Sequence, residues 1–321
     1  MTLTNSHLRA SLVKTLSDGQ FYSGEQLAQQ YGLSRTAIAN NLSALAELGL
    51  DIYSVKGKGY ALSKPLQLLD EVNIREHLAA PHAAPITLFP VIDSTNNYIK
   101  DNIGDMEHGE VVIAETQTAG RGRRGKTWIS PFGASLYLSL CWRFQGGYQQ
   151  IGGLSLYVGY AVVKALEALN VEGLGLKWPN DIYRHGKKLG GILVEVDGQI
   201  GTEVSCIIGV GINVNLPDVQ SQIEQPFTDL NDHQLCRNKL CAAVIDSLNQ
   251  GLPDFEENGL ATILEQWNQW DVFANQTVHI IQGNNTQRGV NLGIDASGAL
   301  KLQMPEGVKT IHGGEVSLRG E

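Results

Sequence analysis

The segment Gly120-Arg121-Gly122-Arg123-Arg124-Gly125 interleaves three glycines with three arginines, inside a 321-residue chain whose formal net charge is −9. Glycine lets the backbone approach a ligand closely and adopt positive φ. Arginine supplies fixed charge on a planar donor fork suited to phosphate and carboxylate. A loop that is both pliable and cationic fits an anion-binding flap for a nucleotide or an activated acyl phosphate. A solvated basic loop has the same composition, so the surrounding residues must decide between the two.

Those residues come in short ordered groups. Ile86–Ile92 is apolar enough for a buried strand; Asp93-Ser94-Thr95-Asn96 follows, and Tyr98 and Ile99 then open a helical pattern. A strand feeding a Ser/Thr-capped helix leaves free backbone N–H groups at the turn, a ready polar site. Gln117 lies between a second strand, Val111–Glu115, and the arginine loop. Ser135–Phe144 alternates apolar and polar positions and is expected to be half buried, and Ile151–Leu169 reads as a helix containing Gly159. Lys177-Trp178-Pro179-Asn180-Asp181 follows a short strand; Pro179 donates no ladder hydrogen bond, which places it at a strand end or edge. Lys188 to Glu195 starts a long strand in which Gly190 and Gly191 are expected to clear space for a close ligand, and Ile207–Asn215 closes the group with Gly209 and Gly211 on one face.

Length argues for two or three domains. A hydrophobic content of 42% with 18% charged residues describes a soluble globular chain. No apolar run approaches the ~20 residues that span a bilayer, and Met1 to Ala10 lacks the pattern of a secretory signal. The four cysteines form no CxxC pair, so the cytoplasm is the expected compartment. His233, Cys236 and Cys241 read as part of a helical stretch with small buried cysteines rather than as metal ligands. Residues 1–65 hold six basic and four acidic residues, a net of +2 that leaves −11 for the rest. A mildly basic unit on an acidic body is weak support for a nucleic-acid contact.

Within that unit the pattern is sharper. Leu8, Leu12, Val13 and Leu16 mark one face of a helix over 6–17. Ser23 with Gln26 three residues on fits a capping box, Gly32 interrupts, and Ser34 is placed to cap a third helix ending near Leu48, with Ile38, Leu42 and Leu45 inward. Helix, glycine-containing turn, helix is the helix-turn-helix pattern, and its second helix would offer Ser34, Arg35, Thr36, Asn40 and Asn41 to DNA. Asp51–Leu62 reads as a hairpin whose tip carries Lys56 and Lys58. Together they make a winged helix-turn-helix, for which a protein-binding module of the same fold is the alternative. Pro65 and Leu66-Gln67-Leu68-Leu69 mark the exit.

The five groups at 93–96, 117–125, 177–181, 188–195 and 209–215, in this order, resemble the biotin protein ligases, and with the winged helix in front the chain is similar to the bifunctional ligase/repressors of that family. The resemblance implies an α/β architecture: an α+β catalytic domain of biotin/lipoate ligase type over 66–270, a winged helix-turn-helix over 1–65 and an SH3-like β-barrel over 271–321. It implies that ATP and biotin react to biotinyl-AMP and that a lysine of a biotin carboxyl carrier protein then takes the biotin. Ser94, Thr95, Asn96 and Gln117 would line the head-group pocket, with Arg121, Gly122 and Arg123 closing it. Lys188 would neutralise the biotin carboxylate and the α-phosphate, helped by Arg123 and Arg124. Asp181 would orient Lys188 or the attacking lysine, or help hold Mg²⁺; Asn180 is the other metal or phosphate candidate, although Asn-Asp after Trp-Pro is also a plain turn signal. Asn213 would bind phosphate or ribose, or else satisfy backbone at a strand end. Trp178 reads as a packing residue. Relatives of repressor type place a tryptophan over adenine in the stretch aligned with 225–230; here the aromatic is Phe227, which retains stacking without an indole N–H.

The regulatory half of the resemblance implies biotinyl-AMP-linked homodimerisation and repression at palindromic operator DNA of the biotin biosynthetic operon. Beyond Leu235 a helix is expected from Leu240, Val244, Leu248 and Leu252 at four-residue steps, then strands at 276–282, 287–294, 299–303 and 308–312. Three rivals remain: a lipoate-type ligase of the same fold, which the arginine loop and the winged helix disfavour; a non-catalytic ligand-sensing transcription factor, which Lys188 and the intact flap disfavour; and a ligase whose N-terminal domain no longer binds DNA.

Overall fold

The computed structural model describes residues 5–198, 203–217, 219, 222–223, 225–283, 285–313 and 316–320. At the N-terminus, helices α1 (Asn5–Leu16), α2 (Gly24–Tyr31) and α3 (Arg35–Glu47) are followed by the hairpin β1 (Ile52–Val55) and β2 (Gly59–Leu62). The capping box forms: Gln26 N–H donates to Ser23 Oγ at 3.1 Å and Ser23 N–H to Gln26 Oε1 at 2.8 Å. Gly32 ends α2 at φ 65°, and Ser34 Oγ accepts from Ala37 N–H at the start of α3. Each such cap is worth about 1 kcal/mol to a short helix. Leu8, Leu12, Val13, Leu16, Leu27, Ile38, Leu42 and Leu45 are all buried in one cluster. Tyr22 bridges to Tyr60 and lends the wing a third short strand.

That cluster also takes in Phe132 from the central part of the chain. Phe132 N–H donates to Leu48 O at the end of α3, and Gly49, at φ 93°, lies against Pro131. The base of the second helix of the helix-turn-helix is therefore packed on the segment that follows the arginine loop.

The central sheet has seven strands in the order β3-β4-β5-β9-β8-β7-β6, comprising β3 (Ile86–Phe89), β4 (Val111–Ala114), β5 (Ser135–Phe144), β6 (Leu174–Lys177), β7 (Asp181–Arg184), β8 (Lys187–Gly198) and β9 (Val204–Asn213). Only β3 and β4 run parallel, joined by the helix α5 (Thr95–Asp101). Two long helices, α6 (Leu154–Ala168) and α7 (Arg237–Asn258), cover one face; there Leu136, Leu138 and Leu140 of β5 meet Val158, Val162, Leu240, Val244, Leu248 and Leu252. The opposite face carries α5 over Val112, Cys141 and Ile207. Strand β5 was expected to be half buried, but nine of its ten residues are buried. Its polar positions, Ser135 and Ser139, point not to solvent but into the second layer, which α5 and the arginine loop complete. Alternation here marks two different interiors.

The linker that precedes a short helix α4 (Glu71–His77), itself packed on α7, is anchored by a buried ion pair. Arg237 Nη1 lies 2.7 Å from Glu115 Oε2, and the same guanidinium donates to Ser135 O and Gln67 O. At the C-terminal end, α8 (Leu264–Trp270) leads to β10 (Thr277–Gln282), β11 (Asn285–Ile294), β12 (Leu300–Met304), β13 (Gly307–Ile311) and β14 (Val316–Gly320), an antiparallel sheet in the order β13-β12-β11-β10-β14. Four of these were expected; β14 was not, because its Val-Ser-Leu-Arg-Gly run carries too few β-branched or aromatic residues to announce a strand. Val278, Ile280, Leu300 and Leu302 share one core with the central sheet. Trp178 is buried and donates to Gly298 O at 3.0 Å, which makes it a packing residue between the two sheets. No helix among the described residues is long and apolar enough to cross a membrane.

Candidate active site

The cleft lies on the α5 face of the sheet and has two chemically different halves. The first is neutral. Ser94 caps α5, and the buried Thr95 and Asn96 begin it. Thr95 donates through both N–H and Oγ1 to Gln117 Oε1 at 2.9 and 3.2 Å, and Gln117 Nε2 donates to Ser130 Oγ at 3.2 Å. Ser139 donates to Asn96 Oδ1 at 2.6 Å and lies 2.7 Å from Thr95 Oγ1. Asn96 Nδ2 donates in turn to Glu195 Oε2 at 2.9 Å, and Arg121 Nη2 meets that same oxygen at 2.6 Å. Gln117, Thr95, Ser139, Asn96, Glu195 and Arg121 thus form one connected polar network, the kind of arrangement that fixes donors and acceptors in space.

The second half is charged, and a strand irregularity creates it. Along β7 and β8 Asp181 pairs with Gly191 and Ile182 with Gly190, but the next pair is Tyr183 with Lys188. Leu189 is the extra residue of a β-bulge. With regular pairing Lys188 would oppose Arg184 and share the core face of Gly190; the bulge turns it onto the face of Asp181 and Tyr183 instead, while Leu189 enters the core. There Lys188 Nζ lies 2.7 Å from Asp181 Oδ1, with side chains only 14% and 13% exposed. Lys177 Nζ approaches the other oxygen at 3.7 Å. Burial holds the Lys177 ammonium below its ordinary range, with Asp181 opposing the shift, and burial raises the Tyr183 phenol. Arg123 Nη1 donates to Asn180 Oδ1 at 3.0 Å, its guanidinium lowered by burial, and Asn180 Nδ2 donates to Ile192 O. The Trp178–Pro179 peptide before Asn180 is cis.

Trp128 joins the halves. Lys188 Nζ sits 5.5 Å from its ring centroid, and its buried indole N–H has no hydrogen-bond partner among the described residues. The glycines of β8 and β9 serve this packing. A Cβ at Gly211 would stand 2.8 Å from the Trp128 ring, and one at Gly209 2.4 Å from Asn96 Oδ1. Gly190 and Gly191, expected to admit a ligand, face Gly211 O, the Trp128 ring and Lys188. The space they leave is filled by the protein's own groups, because the strands pack first against their neighbours.

Of the nucleotide candidates, Phe227 forms a parallel bridge with Lys188: Lys188 N–H donates to Pro226 O at 3.1 Å and Thr228 N–H to Lys188 O at 2.9 Å. Asn213 Nδ2 donates to Thr228 O at 3.0 Å, so it satisfies backbone at a strand end, one of its two expected roles. Gly122 closes the loop through its N–H to Lys126 O. Arg124 is exposed at φ 59°.

In the N-terminal unit, Arg35, Thr36 and Asn40 are exposed along α3, and Lys56 and Lys58 at the tip of the wing. Arg35 is 72% exposed, and its ion-pair partner among the described residues is the distant Glu25 at 3.9 Å. Ser34 spends its hydroxyl on the cap. Asn41 is held between Ala37 O and Arg9, which ties it into the helix pair. Five residues of the cleft were not singled out in the sequence: Trp128, Ser130, Ser139, Lys177 and Glu195. Glu195 and Lys177 lie inside quoted motifs, a signal that was present; nothing local distinguishes Ser139 from any other small polar residue on a strand.

Comparison with known proteins agrees with this geometry. The model of the biotin/lipoate A/B protein ligase family matches residues 88–213, an HTH domain matches 9–61 and the biotin protein ligase C-terminal domain matches 273–319. The bifunctional ligase/repressor BirA of Salmonella typhimurium is 42% identical over 312 residues, covering 96% of this chain and 97% of its own length. That of Bacillus subtilis is 30% identical over 322 residues, covering 98% and 99%. Among solved structures, the biotin protein ligase of Aquifex aeolicus in complex with biotin and ATP aligns at a TM-score of 0.65 and 27% identity, over 74% of this chain and 99% of that one. Three matched domains in this order, with near-complete coverage of relatives at 30% identity and above, lead to one conclusion: the chain belongs to the family of bifunctional biotin protein ligase/repressors.

Proposed function

We propose that the cleft joins biotin to ATP as biotinyl-AMP and passes the biotin to a lysine of a biotin carboxyl carrier protein, and that the same ligand controls DNA binding by the N-terminal unit. The observation that carries the reading is the buried Asp181–Lys188 pair beside Trp128, at the border of a neutral polar pocket. A ureido ring needs paired donors and acceptors, which Thr95, Asn96, Gln117 and Ser139 supply. The carboxylate end then reaches the charged half.

In the first step a carboxylate oxygen attacks the α-phosphorus of ATP, and the bond from that phosphorus to the bridging oxygen of pyrophosphate breaks. Two anions must approach each other. Lys188 stabilises the negative charge gathering on the α-phosphate oxygens, with Lys177 behind Asp181, and acts where it is pre-placed rather than by reorganising. In the second step the neutral amine of the carrier lysine attacks the acyl carbon, the C–O bond to AMP breaks and the amine loses a proton to solvent. Arg121 and Arg123 hold the loop across the cleft, so the mixed anhydride is kept from water. Phe227 provides a ring for adenine beside the Lys188 backbone, and Arg124 is available to the phosphates from the rim.

Mg²⁺ enters with the nucleotide as part of the substrate. A protein-held Mg²⁺ needs free oxygens in octahedral array, and the residues present do not fit one: both Asp181 oxygens face ammonium groups and Asn180 Oδ1 accepts from Arg123. The regulatory step is ligand-linked homodimerisation that sets two winged helices on a palindromic site, with Arg35, Thr36 and Asn40 at base edges and Lys56 and Lys58 on phosphate. The test has two arms. Pyrophosphate exchange with biotin, and not with lipoate, supports the ligase; no exchange with biotin overturns it. A gel shift with the upstream region of biotin synthesis genes that requires biotin and ATP supports the repressor; a shift indifferent to both overturns that arm.

A further inference from the structure

We infer that Arg184 is a positioning residue for the nucleotide half of the reaction, holding segment 226–233 against the backbone of Lys188. The inference rests on the proposed ATP site. Arg184 is the last residue of β7, the strand that begins with Asp181. Its side chain is 6% exposed, and its guanidinium makes five polar contacts. Nε donates to Glu172 O at 3.2 Å. Nη1 donates to Asp229 O at 3.1 Å and Asp232 Oδ1 at 2.8 Å. Nη2 donates to Asp232 Oδ2 at 2.7 Å and faces His233 Nε2 at 2.8 Å. Four of the five contacts fall on the run Asp229–His233.

That run continues directly from the part of the segment that touches the catalytic lysine. Pro226 O and Thr228 N–H pair with the two backbone groups of Lys188, and Asn213 holds Thr228 O. Asp229 turns the chain, accepting from Leu216 N–H at 2.9 Å and Asn231 N–H at 3.2 Å. Asp232 is 63% exposed; beside a distant contact with His233 at 3.9 Å, its strong contact is the two-pronged bond to Arg184, the geometry that gives an arginine–carboxylate pair directional strength. Those bonds draw the Asp232 carboxyl down to about 2. One short strand therefore fixes the lysine ammonium from its first residue and the nucleotide segment from its last. Release of Arg184 leaves Phe227 held by the Lys188 backbone pairs and by Asn213 and Asp229 without the clamp on residues 229–233, while Thr95, Asn96 and Gln117, on the far side of Trp128, are untouched.

The experiment is pyrophosphate exchange with saturating biotin and varied ATP, then the reverse, on the full chain. Arg184→Leu is expected to raise KM for ATP about tenfold while KM for biotin stays within about twofold, a displacement effect of modest size. Arg184→Lys keeps the charge but loses the fork and is expected to recover part of that loss. Asp232→Asn, an exposed change that leaves the core intact, is expected to raise KM for ATP about threefold, and the double variant Arg184→Leu with Asp232→Asn to match Arg184→Leu alone. If Arg184→Leu does not fold, Asp232→Asn decides by the same split. Unchanged KM for ATP in these variants, or equal rises for ATP and biotin, overturns the inference. Absence of exchange in the wild type would instead overturn the ATP-site reading itself.

Discussion

The cations of the cleft and those of the N-terminal unit are the same residue types put to opposite physical use. Lys188 is nearly buried and sits 2.7 Å from a carboxylate. Arg35 is exposed with its partner at 3.9 Å, and Lys56 and Lys58 stand on a hairpin tip in water. A buried, paired ammonium acts over a few ångströms, where its position matters and bulk salt does not. An exposed cation acts by displacing counterions from a polyanion, where number matters more than position and salt matters a great deal. One chain thus holds a salt-insensitive electrostatic device and a salt-sensitive one, and each can be altered separately.

The largest expected effect is in the cleft. Lys188→Ala should lower pyrophosphate exchange by about 10³-fold and weaken biotin binding, measured by calorimetry, far less, through the lost contact with its carboxylate; a loss of exchange below about tenfold would mean that the buried ammonium is not where charge accumulates. Arg123→Gly breaks the contact with Asn180 and should speed release of biotinyl-AMP about 10²-fold, read as biotin on unrelated proteins added to the mixture; retention as long as in the wild type would remove the loop from the mechanism. In the N-terminal unit, Lys56→Ala with Lys58→Ala should weaken operator binding about tenfold and reduce the slope of log affinity against log salt by about 2, with exchange unchanged. Exchange that falls in this double variant would erase the separation of the two devices. The smallest effect concerns an exposed carboxylate. Arg184 holds Asp232 at about 2 against an ordinary 3.8, so its stabilisation is fully present above about pH 4 and is lost as pH falls through about 2. The melting temperature of Asp232→Asn should lie about 2 °C below the wild type at pH 6, a gap that closes toward pH 2.

What the sequence made legible was local. A serine three residues ahead of a glutamine announced the α2 cap, and apolar residues at helical spacing announced the faces of α1, α3 and α7, because the atoms involved lie within one or two turns. The motifs at 93–96, 117–125, 177–181 and 188–195 converge as their order suggested. Contacts between distant positions were not legible. Glu115 and Arg237 are 122 residues apart in sequence, and neither advertises the other. Ser139 reaches Asn96 across 43 positions, and only strand order decides that they meet. Burial of β5 on both faces depends on what covers the second face, a property of the whole assembly. The glycines of β8 were expected to admit a ligand, but Gly190 meets Gly211 O and Gly191 meets Trp128 and Lys188; the place of Trp128 is set by a loop return no local pattern encodes.

The bulge at Leu189 carries one more consequence. Because side chains along a strand take alternate sides, the Lys188 ammonium owes its address to the one extra residue between it and Gly190. Deleting position 189 would keep Lys188 opposite Tyr183 in an unbroken ladder, whereas drawing Leu189 into regular pairing with Tyr183 would turn the amine toward the hydrocarbon under α6. The address therefore survives loss of the extra residue, although the core then lacks the Leu189 side chain, and it is lost when the ladder runs regularly with that residue in place.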